Sequence, residues 1–214
     1  MTGEAMRIEK VPTTRERMAY YEACAEKEGY QLRMYAPQHQ PHQGWRIERL
    51  KALVSLILPF TSGKVLEVGC ADGMFTQWLS GLARQVTAID IIPICIERCR
   101  QLELENVEFV CGTLAKVKDT DFDLAIASEV LEHCVDPEAE MVRLRGMARG
   151  VLATVPITEM PNPEAFSVEA YKNPQKAGDG SGHIWAFRED TIRALFEEVW
   201  HYETNGIFAL IVGR

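Results

Sequence analysis

The sequence predicts an α/β protein, a parallel sheet wrapped by helices and closed by an antiparallel hairpin. Three observations carry this. From Lys64 onward, short apolar runs alternate with amphipathic stretches of helix length, the order that builds βαβ units. The first run, residues 65–68, ends in the glycine turn Gly69-Cys70-Ala71-Asp72-Gly73. Near the other end, Asn205-Gly206 separates two β-like runs, residues 199–204 and 207–212, a strong hairpin signal.

The elements follow in order. Thr13 and Glu16 stand at capping-box spacing and open a helix reaching to about residue 28. Residues 36–44 hold two prolines and a glycine and read as a turn. Residues 45–58 are amphipathic at helical period, with Ile47, Leu50, Leu53, Val54 and Ile57 on one side, and residues 59–63 end that helix. Strands are predicted at 65–69, 86–90, 107–111, 122–128 and 150–155, with helices at about 74–83, 93–103 and 136–146. Residues 157–182 break the alternation and show no clear period. A helix at about 188–198 precedes the hairpin. Neither internal repeats nor a low-complexity linker interrupts the chain.

Composition bounds the function. A chain of 214 residues with 47% apolar and 25% charged residues is expected to fold as one globular domain around a substantial core. No run of 18 apolar residues suggests a membrane span, and the polar first 14 residues lack the apolar core of a secretory signal. The six cysteines lie scattered, which suits reduced, buried thiols and a cytoplasmic setting. Cys95 and Cys99 stand at helical spacing with no second pair, so a core role is expected rather than a metal. A net charge of −8 argues against tight nucleic-acid binding, which needs a basic surface.

Strand, glycine turn, helix, strand and then Asp90 is the pattern of a nucleoside-binding βαβ unit. The glycines let backbone approach a ligand, and Asp90 can accept hydrogen bonds from both ribose hydroxyls. A dinucleotide site would carry G-x-G-x-x-G, but here the pattern is Glu67-x-Gly69-x-Ala71-x-Gly73. An acid ahead of the first glycine repels a pyrophosphate and suits a cationic ligand. This pattern resembles the first motif of class I S-adenosylmethionine (SAM) methyltransferases, E-x-G-x-G-x-G, with Ala71 in place of the middle glycine. The resemblance spans residues 64–214. It implies a Rossmann-like, seven-stranded, mostly parallel sheet with helices on both faces and an antiparallel C-terminal hairpin. It divides the chain into a helical N-terminal substrate cover, 1–60, and a SAM-binding domain, 61–214, with a cap insertion at about 157–182. It also implies that the Gly69, Ala71 and Gly73 backbone packs on the methionine part of SAM, with Glu67 supporting that loop or the amino group. Asp90 would hold the ribose and Ile91 the adenine. After strand three the family has Gly-Asp where this chain has Gly112-Thr113-Leu114, so Thr113 stands where an acid would meet the adenine amino group.

Glu129-Val130-Leu131-Glu132-His133 directly follows predicted strand four, at the end of the sheet where ligands bind. Two carboxylates and an imidazole suit a divalent ion, and a neutral His can take a proton from an attacking hydroxyl. The segment resembles the ubiquinone-biosynthesis O-methyltransferases and their small-molecule relatives. It also resembles the enzymes that 2′-O-methylate RNA 3′ ends, where Glu-x-x-Glu-His and a later His hold a metal. The later His here would be His183, in Gly182-His183-Ile184-Trp185-Ala186-Phe187. The resulting expectation is SAM-dependent O-methylation of a small molecule, with His133 as base and Glu132 beside it. Glu129, Glu132, His133 and His183 would be the ligands of a Mg²⁺, Mn²⁺ or Zn²⁺ ion, if one assists. Alternatives are RNA 3′-end 2′-O-methylation, N-methylation, and a degenerate SAM-binding scaffold. Without a metal, His133 would simply cap or pack the next helix and His183 would be structural. His201 is expected on a surface or edge strand. Tyr20, Tyr21, Tyr35, Trp45, Phe166 and Tyr171, with Arg46, Arg49, Lys172 and Lys176, could hold an anionic aromatic or sugar-like acceptor. Most of these are expected to pack the N-terminal extension onto the sheet instead.

Overall fold

A computed structural model describes residues 6–7, 13–26, 41–157 and 183–214. The expected cap at 157–182, save its first residue, lies outside the described residues. So do Tyr35, Phe166, Tyr171, Lys172 and Lys176.

Strand β1 (Met6–Arg7) is followed by α1 (Thr14–Ala25). The predicted capping box forms: Thr13 Oγ1 accepts from the Glu16 amide at 3.3 Å, and the Glu16 carboxylate accepts from the Thr13 amide at 2.8 Å. Helix α2 (Pro41–Ile57) starts earlier than its apolar stripe suggested. Then come β2 (Lys64–Val68), α3 (Met74–Ser80), β3 (Gln85–Asp90), α4 (Pro93–Arg100), β4 (Val107–Cys111) and β5 (Phe122–Ser128). Helix α5 (Pro137–Met147) begins at an Asp136 cap, whose Oδ1 accepts from the Ala139 amide at 2.9 Å. It runs into β6 (Ala148–Pro156) with no loop between them, so that strand starts two residues before its apolar run. Short β7 (Trp185–Ala186), α6 (Glu189–Ala194), β8 (Val199–Thr204) and β9 (Phe208–Gly213) complete the order.

Seven strands form one sheet in the order β4-β3-β2-β5-β6-β9-β8. The first five are parallel, and β9 is inserted antiparallel between β6 and β8. The hairpin turn forms at Asn205-Gly206. Gly206 has φ 85°, and Asn205 Oδ1 accepts from the amides of Ile207 at 3.0 Å and Phe208 at 2.8 Å. A separate antiparallel ribbon pairs β1 with β7, a pairing that two-residue strands leave no sequence pattern to announce.

Alternation along each strand divides the core into two layers. Ala125, Ala127, Val151 and Ala153 face one way, against Met141 and Leu144 of α5 and Ile192 of α6. Leu124, Ile126, Leu152 and Leu210 face the other way, against Leu50 and Val54 of α2, Leu79 of α3 and Ile96 of α4. Helix α2 therefore packs in the sheet's own core. From β2 the chain winds outward to β3 and β4, and from β5 it winds the other way. The crevice between the carboxyl ends of β2 and β5 is the topological switch point, where open α/β sheets bind ligands. Among the described residues, no helix is long and apolar enough to cross a membrane.

Candidate active site

The loop after β2 is shaped by left-handed backbone. Gly69 has φ 73° and Gly73 φ 79°. A Cβ on Gly69 would lie 2.7 Å from Val130 Cγ2, and one on Gly73 2.9 Å from Cys99 Sγ, so both positions exclude larger residues for two reasons. Ala71, between them, also adopts a positive φ, 45°. Asp90, at the end of β3, holds this loop: its Oδ2 accepts from the Ala71 amide at 2.9 Å and its Oδ1 from the Ile92 amide at 2.8 Å. Ile91 is exposed beside it. Thr113 is exposed at the head of a 3-10 turn, and the Leu114 side chain is buried with Leu66 and Ile89.

Glu67 lies beneath the turn, 4% exposed, and its Oε2 has no hydrogen-bond partner among the described residues. Burial raises its pKa to about 7; the nearby Asp90 charge adds to this and the Thr76 hydroxyl opposes it. Burial also raises the Asp90 carboxyl, against its two amide bonds. This pocket of acids around a glycine loop suits a ligand that is both cationic and a nucleoside. The residues present therefore fit SAM.

The second group stands at the end of β5. Glu129 has φ 59°, a left-handed conformation that a side chain adopts at some cost. Its amide donates to the Thr154 carbonyl at 2.9 Å, and its Oε1 accepts from Thr154 Oγ1 at 3.0 Å. The next turn, Leu131–His133, is 3-10. Glu132 is wholly buried and neither carboxylate oxygen is hydrogen-bonded among the described residues. Its Oε1 lies 3.9 Å from His133 Nε2.

His183 joins this group from far along the chain. The Ile184 amide donates to the Glu132 carbonyl at 2.7 Å, and Trp185 Nε1 donates to the Cys134 carbonyl at 2.9 Å. These two bonds bring the His183 ring to 4.9 Å from the His133 ring. One ligand atom each from Glu132, His133 and His183 lies within 4.8 Å of the others. Glu129 stands apart from that trio, turned toward Thr154 and Arg46. Burial lowers the His183 pKa to about 3, with His133 adding to the effect, so His183 offers a neutral nitrogen. Burial raises Glu132 well above the usual carboxylate range, and the Glu129 charge raises it further.

Arg46 and Arg49, named among the residues that could meet an acceptor, have partners within the fold. Arg46 is 0% exposed, and its guanidinium donates to Ser128 Oγ and, at 3.4 Å, to Thr154 Oγ1. Its Nε lies 3.9 Å from Glu129 Oε1. Arg49 pairs with Glu203 through Nε at 2.9 and 3.0 Å, which ties α2 to β8. His201 lies on the outer strand β8, 3.7 Å from Glu203. Four of the six cysteines, Cys24, Cys70, Cys95 and Cys99, are buried. The sequence reading missed Arg17, whose Nη1 donates to the His133 carbonyl at 3.3 Å, and the structural partners Ser128 and Thr154.

Comparison with known proteins agrees with this geometry. A family model described as a methyltransferase domain matches residues 42–199. The ubiquinone biosynthesis O-methyltransferase of Xanthomonas euvesicatoria is 35% identical over 92 residues, 40% of this chain and 38% of that one. Nodulation protein S of Rhizobium tropici is 28% identical over 134 residues, 58% of this chain and 56% of that one. The chain thus aligns with about two fifths to just over half of these curated relatives. Among solved structures, a DhpI complex with S-adenosylhomocysteine (SAH) superposes with a TM-score of 0.65 at 21% identity, covering 94% of this chain and 95% of that one. The N-methyltransferase NodS from Bradyrhizobium japonicum, also with SAH, gives 0.64 at 17% identity, covering 92% and 97%. At such identities the structures speak to the fold.

Proposed function

This chain belongs to the methyltransferase-domain family, and on that footing we propose that it transfers the methyl group of SAM to a hydroxyl of a small molecule. The observation that carries the reading is a juxtaposition. The Asp90-held glycine turn and the Glu132–His133–His183 group stand at the carboxyl ends of the adjacent strands β2 and β5. A cofactor on the turn would direct its reactive end toward the imidazoles.

Bound SAM supplies a methyl group already activated by its sulfonium. What remains for the protein is alignment and removal of the acceptor proton. The acids beneath the turn balance the cofactor's positive charge, with Glu67 toward the amino group and Asp90 accepting from the ribose hydroxyls. Ile91 offers an apolar face to the adenine, and Thr113 a hydroxyl to its edge. His133 takes the acceptor's proton on its ring, and Glu132, 3.9 Å away, steadies the imidazolium. A divalent ion fits the trio because a buried carboxylate with two oxygens unbonded among the described residues faces two imidazoles. In that case His133 would be a ligand with Glu132 and His183 instead of the base, and Mg²⁺, Mn²⁺ or Zn²⁺ would lower the pKa of the acceptor hydroxyl.

Amine acceptors form a second reading. The similar solved structure of NodS is titled an N-methyltransferase, which supports it, and an acid-lined mouth attracts an ammonium group. RNA fits less well with a net charge of −8. The test is methyl transfer from labelled SAM to panels of phenols, sugars and amines, with and without EDTA. Transfer to hydroxyls that is lost in His133→Ala supports the reading. Transfer confined to amines, or unaffected by that change, overturns it.

A further inference from the structure

One face of α1 runs from the imidazoles to the glycine turn. Arg17, Tyr21 and Ala25 are spaced four apart, so they share that face, and eight residues of helix span about 12 Å. At one end, Arg17 Nη1 donates to the His133 carbonyl. In the middle, the Tyr21 ring meets the His133 ring edge-on, with centroids 5.6 Å apart and planes at 87°. At the other end, the Ala25 carbonyl is among the last of the helix and so has no partner within it. It accepts from Arg98 Nη1 at 2.7 Å, and the same nitrogen lies 3.2 Å from Asp72 Oδ1. Asp72 belongs to the glycine turn. Ala25 also packs against Ile92 and Cys95, just beyond Asp90. One guanidinium therefore grips the cofactor loop and the helix that orients the reacting histidine.

We propose that Arg98 is a positioning residue of the reaction. It registers α1, and through Tyr21 and Arg17 the His133 ring, against the cofactor-binding turn. Occupation of the turn then tightens α1 over the site, so the histidine is set for an acceptor only once the cofactor is in place. Such coupling is reciprocal: what cofactor does for α1, a docked α1 does for cofactor affinity. The inference rests on reading His133 as the reacting group, but its central claim concerns α1 and can be measured without turnover.

The experiment is hydrogen–deuterium exchange of the full chain with and without SAH, together with the His133 ring resonance in a ¹³C-histidine-labelled sample. In the wild type, SAH slows exchange of the amides at residues 20–25 by about tenfold and shifts the His133 signal. In Arg98→Ala, and independently in Asp72→Asn, the slowing drops below about twofold, the His133 shift is lost, and SAH affinity falls by up to about the same tenfold. The proposal is overturned if SAH leaves α1 exchange unchanged in the wild type, if both variants keep the slowing, or if the His133 shift survives without it. If His133 were not the base, His133→Ala would keep methyl transfer while the response of α1 to SAH persisted, so the two failures look different.

Discussion

The Asp90 carboxylate accepts from the Ala71 amide at 2.9 Å, so the acid expected at the cofactor's ribose also braces the cofactor's loop. Asp90→Ala removes both functions at once. SAM affinity should fall about a hundredfold, equal to about 3 kcal/mol for two charge-assisted bonds, as read by titration calorimetry. Asp90→Asn keeps one acceptor and should lose less. Equal SAM binding in wild type and Asp90→Ala would remove Asp90 from the site.

Ala71 sits at φ 45°, where a methyl group costs about 1–2 kcal/mol. Part of that is offset because alanine restricts the unfolded chain more than glycine does. Ala71→Gly should therefore raise stability by about 0.5 kcal/mol, seen as a small upward shift in thermal midpoint. A drop would mean that the Ala71 methyl group has a packing role that outweighs its strain.

Glu67 sets a pH dependence. The folded chain keeps its Glu67 proton up to about pH 7, whereas the ordinary value is 4.5. Between those values the folded state binds more protons, so its stability declines as pH rises and levels off above 7. The span corresponds to about 3 kcal/mol. Glu67→Gln should be more stable than wild type at pH 8 and about equal to it at pH 4.5, by urea denaturation. SAM affinity should climb through pH 7 in the wild type, as the carboxylate forms, and stay flat in Glu67→Gln.

Arg46 is the buried cation opposite Glu129. Arg46→Met fills the same space but leaves the carboxylate without its charge partner, which costs about 3 kcal/mol. Equilibrium unfolding should show that loss near neutral pH, and a smaller one where Glu129 is protonated. A pH-independent loss would point to packing alone.

Zn²⁺ or Mn²⁺ added to the chelator-treated protein should raise its thermal midpoint, since a ligand held only by the folded state stabilises it. His183→Ala should abolish the rise. An identical rise in both proteins would mean that the ion binds elsewhere.

Legibility in the sequence tracked the range of the interaction. The glycine turn, the capping box at Thr13 and the Asn205-Gly206 hairpin are local, and each stands where its residues placed it. The partners of Arg46 were not legible, because Ser128 and Thr154 are 82 and 108 residues away and an arginine on an amphipathic helix ordinarily points to water. Glu129 shared a five-residue motif with His133, yet its left-handed backbone turns it toward Thr154 and away from the imidazoles. His183 was named from its Gly-His segment, but the bonds that seat it, from the Ile184 amide to the Glu132 carbonyl and from Trp185 Nε1 to the Cys134 carbonyl, join residues about fifty apart and have no local pattern.

The insertion of β9 between β6 and β8 sets a timetable for synthesis. As the chain leaves the ribosome, β2 to β6 can pair in order, but the outer edge of β6 must wait for a strand that emerges after β8. Until residue 213 is clear, that edge stays open and Leu152 and Val155 lack the cover that Leu210 and Ile211 later give. An unpaired edge is a template for another chain, so the interval before β9 arrives is when a nascent copy is most exposed to its neighbours on the same message.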